Sequence, residues 1–234
     1  DWPFLYLSKR GVSEFYLTLM AIFIGLAVMA VFLASREMRR SLTGGVGVDI
    51  EMFLFGLAFL LLETRFVTSM NLVWGATWLT SAVVFGSILA MILLGTVVTQ
   101  LRPLPWYVAA GGLIVSLVIV NFVPGELLLG RGLATRLLLS VLLIGPPVFF
   151  AGVCFALRFA TREAVDLAFG WNLLGAVAGG LLEFFSMSVG LKALLLVAAA
   201  AYLVAFLIKE RSEKSRDSGT ESVDPGLVPE GAAG

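Results

Sequence analysis

The chain has no histidine, and Cys154 is its only cysteine. Those absences exclude histidine–cysteine zinc sites, histidine-ligated haem and disulfides within the chain. They also leave no histidine base for a nucleophile. A serine–lysine pair has no lysine at membrane depth, because Lys192 falls near a helix end. Charge is scarce: charged residues are 14% of the chain, against about a quarter in a soluble domain. Sixteen basic and sixteen acidic residues cancel, so no basic excess points to nucleic acid. No period-two pattern marks a strand, so no glycine loop follows one to cradle a phosphate. No catalytic constellation, metal site or cofactor is expected within these residues. Cys154 reads as a small apolar helix residue.

What fills the chain instead is apolar. Hydrophobic residues are 59% of the sequence, and the mean hydropathy is +1.00. Such a chain is apolar outward as well as inward, as a lipid-facing bundle must be. A crossing helix needs about 20 mostly apolar residues. The expected fold class is therefore all-α, a polytopic transmembrane bundle of about seven membrane-spanning helices.

Charges mark the helix ends. The first helix lies between Glu14 and Arg36, and the charged exit Arg36, Glu37, Arg39 and Arg40 follows it. The uncharged run from Arg65 to Arg102 would be about 54 Å long as one helix, too long for one crossing. It must break, and Gly75 between Trp74 and Trp78 is the place. Helices two and three are then about 50–72 and 77–100. Helix four runs from about Trp106 to Phe122, ahead of Pro124. Helix five, about 134–159, carries Pro146 and Pro147, and a kink or break is expected there. Helices six and seven are about 167–187 and 189–208. The domain reading is residues 1–12 as the end of a preceding domain or a linker, 13–208 as the transmembrane domain, and 209–234 as a disordered polar tail. Residue 1 is aspartate, and the first dozen residues lack the pattern of a signal peptide. The chain is read as a piece of a longer protein.

Lysine and arginine near helix ends set orientation. One side collects Arg36, Arg39, Arg40, Arg102, Arg158, Arg162, Lys209, Arg211, Lys214 and Arg216. The other collects Lys9, Arg10, Arg131, Arg136 and Lys192. The bias puts the C-terminal tail in the cytosol, in a bacterial inner membrane or its equivalent, and seven crossings then put residue 1 outside.

Glu63 falls inside helix two, where a charge costs about 2.5–3.5 kcal/mol on insertion scales. Arg65 is two positions on, about 200° round the helix, and does not face it. On helix six, Asn172, Gly175, Gly179 and Glu183 are spaced to line one stripe. Gly175 and Gly179 form a G-x-x-x-G pair that admits a close neighbouring backbone. The stripe reads either as helix packing with polar glue or as a cavity wall. Glu63, Asn172 and Glu183 are the candidate ligand-binding residues, and a polyamine-like cation is the ligand that two buried carboxylates would suit. The alternative is that each carboxylate pairs with Arg65, Arg136 or Lys192, or accepts hydrogen bonds from its neighbours. Thr77, Thr80, Ser81 and Ser87 are expected to bond between helices.

The opening residues Asp1-Trp2-Pro3-Phe4-Leu5-Tyr6 resemble the D-x-P-F-L-Y segment closing the catalytic domain of membrane-fused spermidine synthase-like proteins. The stretches FGLAFLLLETRFVTSMNLVWGATWLTSAVVFGSIL (55–89), PPVFFAGVCFA (146–156) and GWNLLGAVAGGLLEFFSMSVGLKAL (170–194) are similar to the C-terminal transmembrane region of the same family. The resemblance implies an upstream domain of the S-adenosylmethionine type, related to aminopropyltransferases. It carries no catalytic residue onto this chain. The implied function is a non-catalytic membrane module that anchors that domain or supplies substrate to it. Its partners would be the lipid bilayer, the upstream domain and a polyamine-like cation. A small-solute transporter or permease fragment is the second reading, drawn from Pro146-Pro147 and the buried carboxylates. A cytosolic cofactor domain would put residue 1 inside. A re-entrant helix two would reconcile the two ends, at the cost of placing residues 36–40 outside.

Overall fold

The computed structural model describes residues 14–34, 48–75, 77–102, 104–123, 130, 132–184 and 190–221. Seven helices form in chain order: α1 Glu14–Ala34, α2 Ile50–Trp74, α3 Trp78–Leu101, α4 Trp106–Phe122, α5 Leu133–Phe159, α6 Val165–Glu183 and α7 Leu191–Glu221. Among the described residues there is no strand. Among the described residues, three helices are long and apolar enough to cross a membrane: Trp78–Leu101, Leu133–Phe159 and Val165–Glu183. Shorter apolar stretches cover Glu14–Ala27, Trp106–Phe122 and Lys192–Ile208.

The helices alternate in direction. Glu51, at the start of α2, meets Arg158 at the end of α5, and Trp74, at the end of α2, meets Ser140 near the start of α5. Those two helices are antiparallel. Phe55 of α2 lies against Tyr202 and Phe206 of α7, so that pair is antiparallel too. By contrast, Met52 pairs with Asn172 and Thr64 with Glu183, which makes α2 and α6 parallel. Tyr16 of α1 stacks near Phe184, just past the end of α6.

α2 is the centre. It packs against α6, α7, α3 and α5, while α4 lies on α5 and α7. Met52, Ala58, Leu61, Leu62, Phe66 and Met70 bury its surface on several sides. The outer helices are the reverse. Leu89 and Leu93 of α3, Val115 and Ile119 of α4, and Leu196 and Leu207 of α7 are all exposed. That outward apolar belt has no counterpart in water, where it would carry the full hydrophobic cost.

Local chemistry explains the breaks. The chain leaves α2 at Gly75, whose φ of 82° favours glycine. Thr77 then caps α3. At Pro146-Pro147 there is no break, because α5 runs from Leu133 to Phe159 with both prolines inside it. The neighbours of a packed helix hold it together through the missing donors. The expected bonds between helices from α3 are also corrected. Thr80 donates to the Gly75 carbonyl at 2.6 Å and shares a 3.2 Å hydroxyl contact with Thr77, while Ser87 donates to the Val83 carbonyl at 2.6 Å. These hydroxyls satisfy themselves on their own segment, the usual back-bond of serine and threonine in helices.

The end of α7 differs from the expected boundary at residue 208. Helix continues to Glu221. Residues 222–234, the opening 1–12 and the basic exit at 36–40 lie outside the described residues.

Candidate functional site

Charge along α2 collects at two levels. The first is its start. Asp49 caps the helix by accepting the Met52 amide at 3.1 Å. Two residues on, Glu51 is only 4% exposed. Arg158 of α5 grips it with two bonds, Nε to Oε1 at 2.5 Å and Nη2 to Oε2 at 2.8 Å. Arg162, one turn further, donates Nη2 to Glu51 Oε2 at 2.5 Å and sets Nε 2.8 Å from Asp49 Oδ2. The Arg158 guanidinium also lies over the Trp106 ring, 5.8 Å from its centroid. Two acids and two bases thus tie α2 to α5, with Trp106 of α4 at the edge. Fork-shaped pairing of this kind is geometrically specific. Sequence reasoning counted Arg158 and Arg162 only as orientation signals. The signal that could have found the clamp is their spacing of four, on the side of the bundle that receives Asp49 and Glu51.

The second level is the far half of α2, where Glu63 and Arg65 stand. Neither enters an ion pair among the described residues. Arg65 hydrogen-bonds to Ser69 on its own helix through Nη1, and its Nε is buried without a partner. Glu63 is half-buried and accepts no hydrogen bond among the described residues. Arg136 instead lies over Trp74, 5.1 Å from the ring, and Lys192 is exposed.

The α6 stripe meets α2 along its whole length. Asn172 Nδ2 donates to the Met52 carbonyl at 3.2 Å. A Cβ on Gly175 would strike the Phe53 carbonyl, and one on Gly179 would come within 2.7 Å of the Leu57 carbonyl oxygen. Gly56 answers from α2, where a Cβ would strike the Asn172 carbonyl. The two backbones touch because glycine faces backbone from both sides. At the top of the stripe, Thr64 Oγ1 donates to Glu183 Oε2 at 3.2 Å.

Glu183 is not well inside its helix, as the expected span of about 167–187 placed it. It is the last residue of α6. Its bond to Thr64 nevertheless keeps it deep, since α2 continues ten residues further to Trp74, about 15 Å. The short helix ends part-way along the longer one. Its last carbonyls and the Glu183 carboxylate therefore lie beside the residue that follows Glu63. Helix C-termini are the negative ends of their dipoles and favour cations. Among the described residues no group of three or more histidine, cysteine or acidic side chains could hold a metal ion.

Asn172 has a second setting. It lines an apolar cavity of about 220 Å³ that neither Glu63 nor Glu183 borders. The structure thus joins Glu183 to Thr64, the residue after Glu63, and gives Asn172 a separate contact, on the Met52 carbonyl. No family model, no curated protein and no solved structure matches the chain, so its own residues carry the reading.

Proposed function

We propose that the chain is a seven-crossing membrane module that supplies a polyamine-like cation to an attached S-adenosylmethionine-type domain. The family part of this reading rests on the resemblance to spermidine synthase-like membrane regions. The seven crossings are supported by the alternating helix directions and the exposed apolar belt. α2 runs 25 residues without interruption, which suits a full crossing better than a re-entrant segment. With the tail in the cytosol, the Glu51–Arg158–Arg162 clamp sits at the cytosolic end and Trp74 at the other.

The observation that carries the cation reading is the level of Glu63 and Glu183. Two half-buried carboxylates on neighbouring helices have no cationic partner among the described residues, and a helix C-terminus ends beside them. A buried carboxylate without a counter-charge is costly. An ammonium group arriving there offsets that cost, as at the broken helices of transporters.

Spermidine binding to the purified protein, with its melting temperature measured on the same sample, is the test. Glu63→Gln and Glu183→Gln each weaken binding about tenfold, the loss of one charge-assisted contact. Wild-type protein that binds no spermidine, or Glu63→Gln that binds it equally well, removes the cation reading. Orientation is tested separately, with single cysteines at Ser218 or Ser8 in a Cys154→Ala background. An impermeant maleimide on intact cells spares Ser218→Cys, and its reaction at Ser8→Cys decides the side of residue 1, which seven crossings put outside and a cytosolic attached domain puts inside. Labelling at 218 reverses the topology.

A further inference from the structure

The cavity beside α2 has no role in the cation reading and does not depend on it. Phe59 of α2 and Gly152 of α5 line it, with Ile92 on the α3 side and Phe169 and Asn172 on the α6 side. α3 and α6 do not pack extensively on each other. The cavity is therefore a cleft between these two helices, floored by α2 and α5. Phe169 at its rim is exposed on the apolar flank of the bundle. The lining carries no charged side chain.

Tyr202 of α7 also lines this cleft. It is wholly buried, 0% exposed. Among the described residues its hydroxyl has no hydrogen-bond partner. The ring is held from one side by Phe55, edge to face at 5.8 Å, and from another by Phe206 at 6.3 Å. A buried hydroxyl is ordinarily satisfied by protein or water. Water needs two to four polar partners to stay in such a place, and this lining is almost entirely apolar. The group that completes Tyr202 must bring its own apolar body. An apolar cavity of about 150 Å³ accepts benzene, so about 220 Å³ accommodates a larger apolar body.

We propose that the cleft binds a neutral amphiphile, an apolar chain carrying one hydroxyl or carbonyl group, which enters from the lipid-facing flank and hydrogen-bonds to Tyr202. Charged molecules are excluded because nothing in the lining would compensate them. Spermidine is therefore not a ligand of this cleft.

The probe is a photoreactive diazirine analogue of 1-decanol, applied to the purified protein in detergent, with labelled peptides identified by mass spectrometry. Label is expected on residues 55–60, 151–155 or 202. Free 1-decanol displaces it, and decane, which lacks the hydroxyl, does so about tenfold less well. Tyr202→Phe keeps the ring and lowers labelling by a similar factor. Gly152→Ala adds a methyl at 3.6 Å from the Ile92 Cα, an ordinary contact, and narrows the cleft without forcing the helices apart. It lowers labelling too, and decides the matter alone if Tyr202→Phe does not fold. A short-chain phosphatidylcholine tells the source: displacement by it as well assigns the site to a lipid chain, and displacement by 1-decanol alone assigns it to a free amphiphile. Label spread over the exposed exterior overturns the proposal. So does label that neither competitor displaces, or label unchanged in both variants.

Discussion

The two halves of α2 handle charge in opposite ways. At its start, Glu51 is buried and every charge nearby has a partner of opposite sign within 2.8 Å. Twelve residues on, Glu63 stands half-buried with none among the described residues. Both are glutamates on one helix at the centre of one bundle. The difference lies in what the neighbours offer. The end of α5 and the turn after it bring two arginines to Glu51, whereas α6 ends against Thr64, next in sequence to Glu63, with another carboxylate, Glu183. The first level is built to stay closed. The second carries its carboxylates without a cationic partner among the described residues, which is the arrangement the proposed cation site requires.

The sharpest way to break this comparison is Glu51→Gln. It leaves Arg158 and Arg162, both partly buried, without their shared acid, at a cost of at most about 3–5 kcal/mol. Thermal unfolding in detergent should register this as the largest loss of any single change in α2. A melting curve no different from that of Glu63→Gln would erase the distinction between the two levels.

Next in size is the seam between them. Gly179→Leu drives a side chain into the Leu57 carbonyl, where backbone cannot give way. Overpacking of this kind costs about 1–3 kcal/mol, and more where backbone is struck. Gly180→Leu meets only the flexible end of Leu60, at 3.0 Å, and should cost less. Equal losses at the two positions would mean that the backbone contact of α2 and α6 has no special standing. The smallest effect is expected from Glu63→Gln, which removes no ion pair. Its stability should stay within about 0.5 kcal/mol of wild type, the range of changes that touch no such feature. A drop comparable to that of Glu51→Gln would reveal a structural partner for Glu63.

Helix limits were legible because hydropathy and charge record them directly. The expected spans at 50–72, 77–100, 106–122 and 134–159 lie within two residues of α2 to α5. The turn at Gly75 was readable for the same reason, since a run of that length cannot cross once. Pairing was not legible. Glu51 and Arg158 are 107 residues apart, and periodicity along a chain says nothing of contacts at that range. Thr64, the partner of Glu183, gave no signal either, since a hydroxyl in an apolar run usually back-bonds to its own helix. Tyr202 sits in the run Ala198–Phe206 and reads there as one more apolar residue. Only its packed neighbours reveal that its hydroxyl ends in a dry place. The α6 stripe shows the intermediate case. Its spacing named one face, but which helix that face meets came only from the three-dimensional arrangement.

The separation of Glu51 from Arg158 has a consequence during synthesis. Ribosomes add about 5–20 residues each second. The 107 residues between the two therefore take about 5–20 s to make. For that interval α2 is already built, while its acid has no base and its glycine face has no α6 to meet. Something else must shelter the central helix of this bundle until its partners emerge, whether headgroups, the insertion machinery or a temporary position near the interface. The last-made third of the chain is what allows the first-made core to settle, so a nascent chain halted before Arg158 should be a substrate for membrane quality control rather than a smaller working version of the protein.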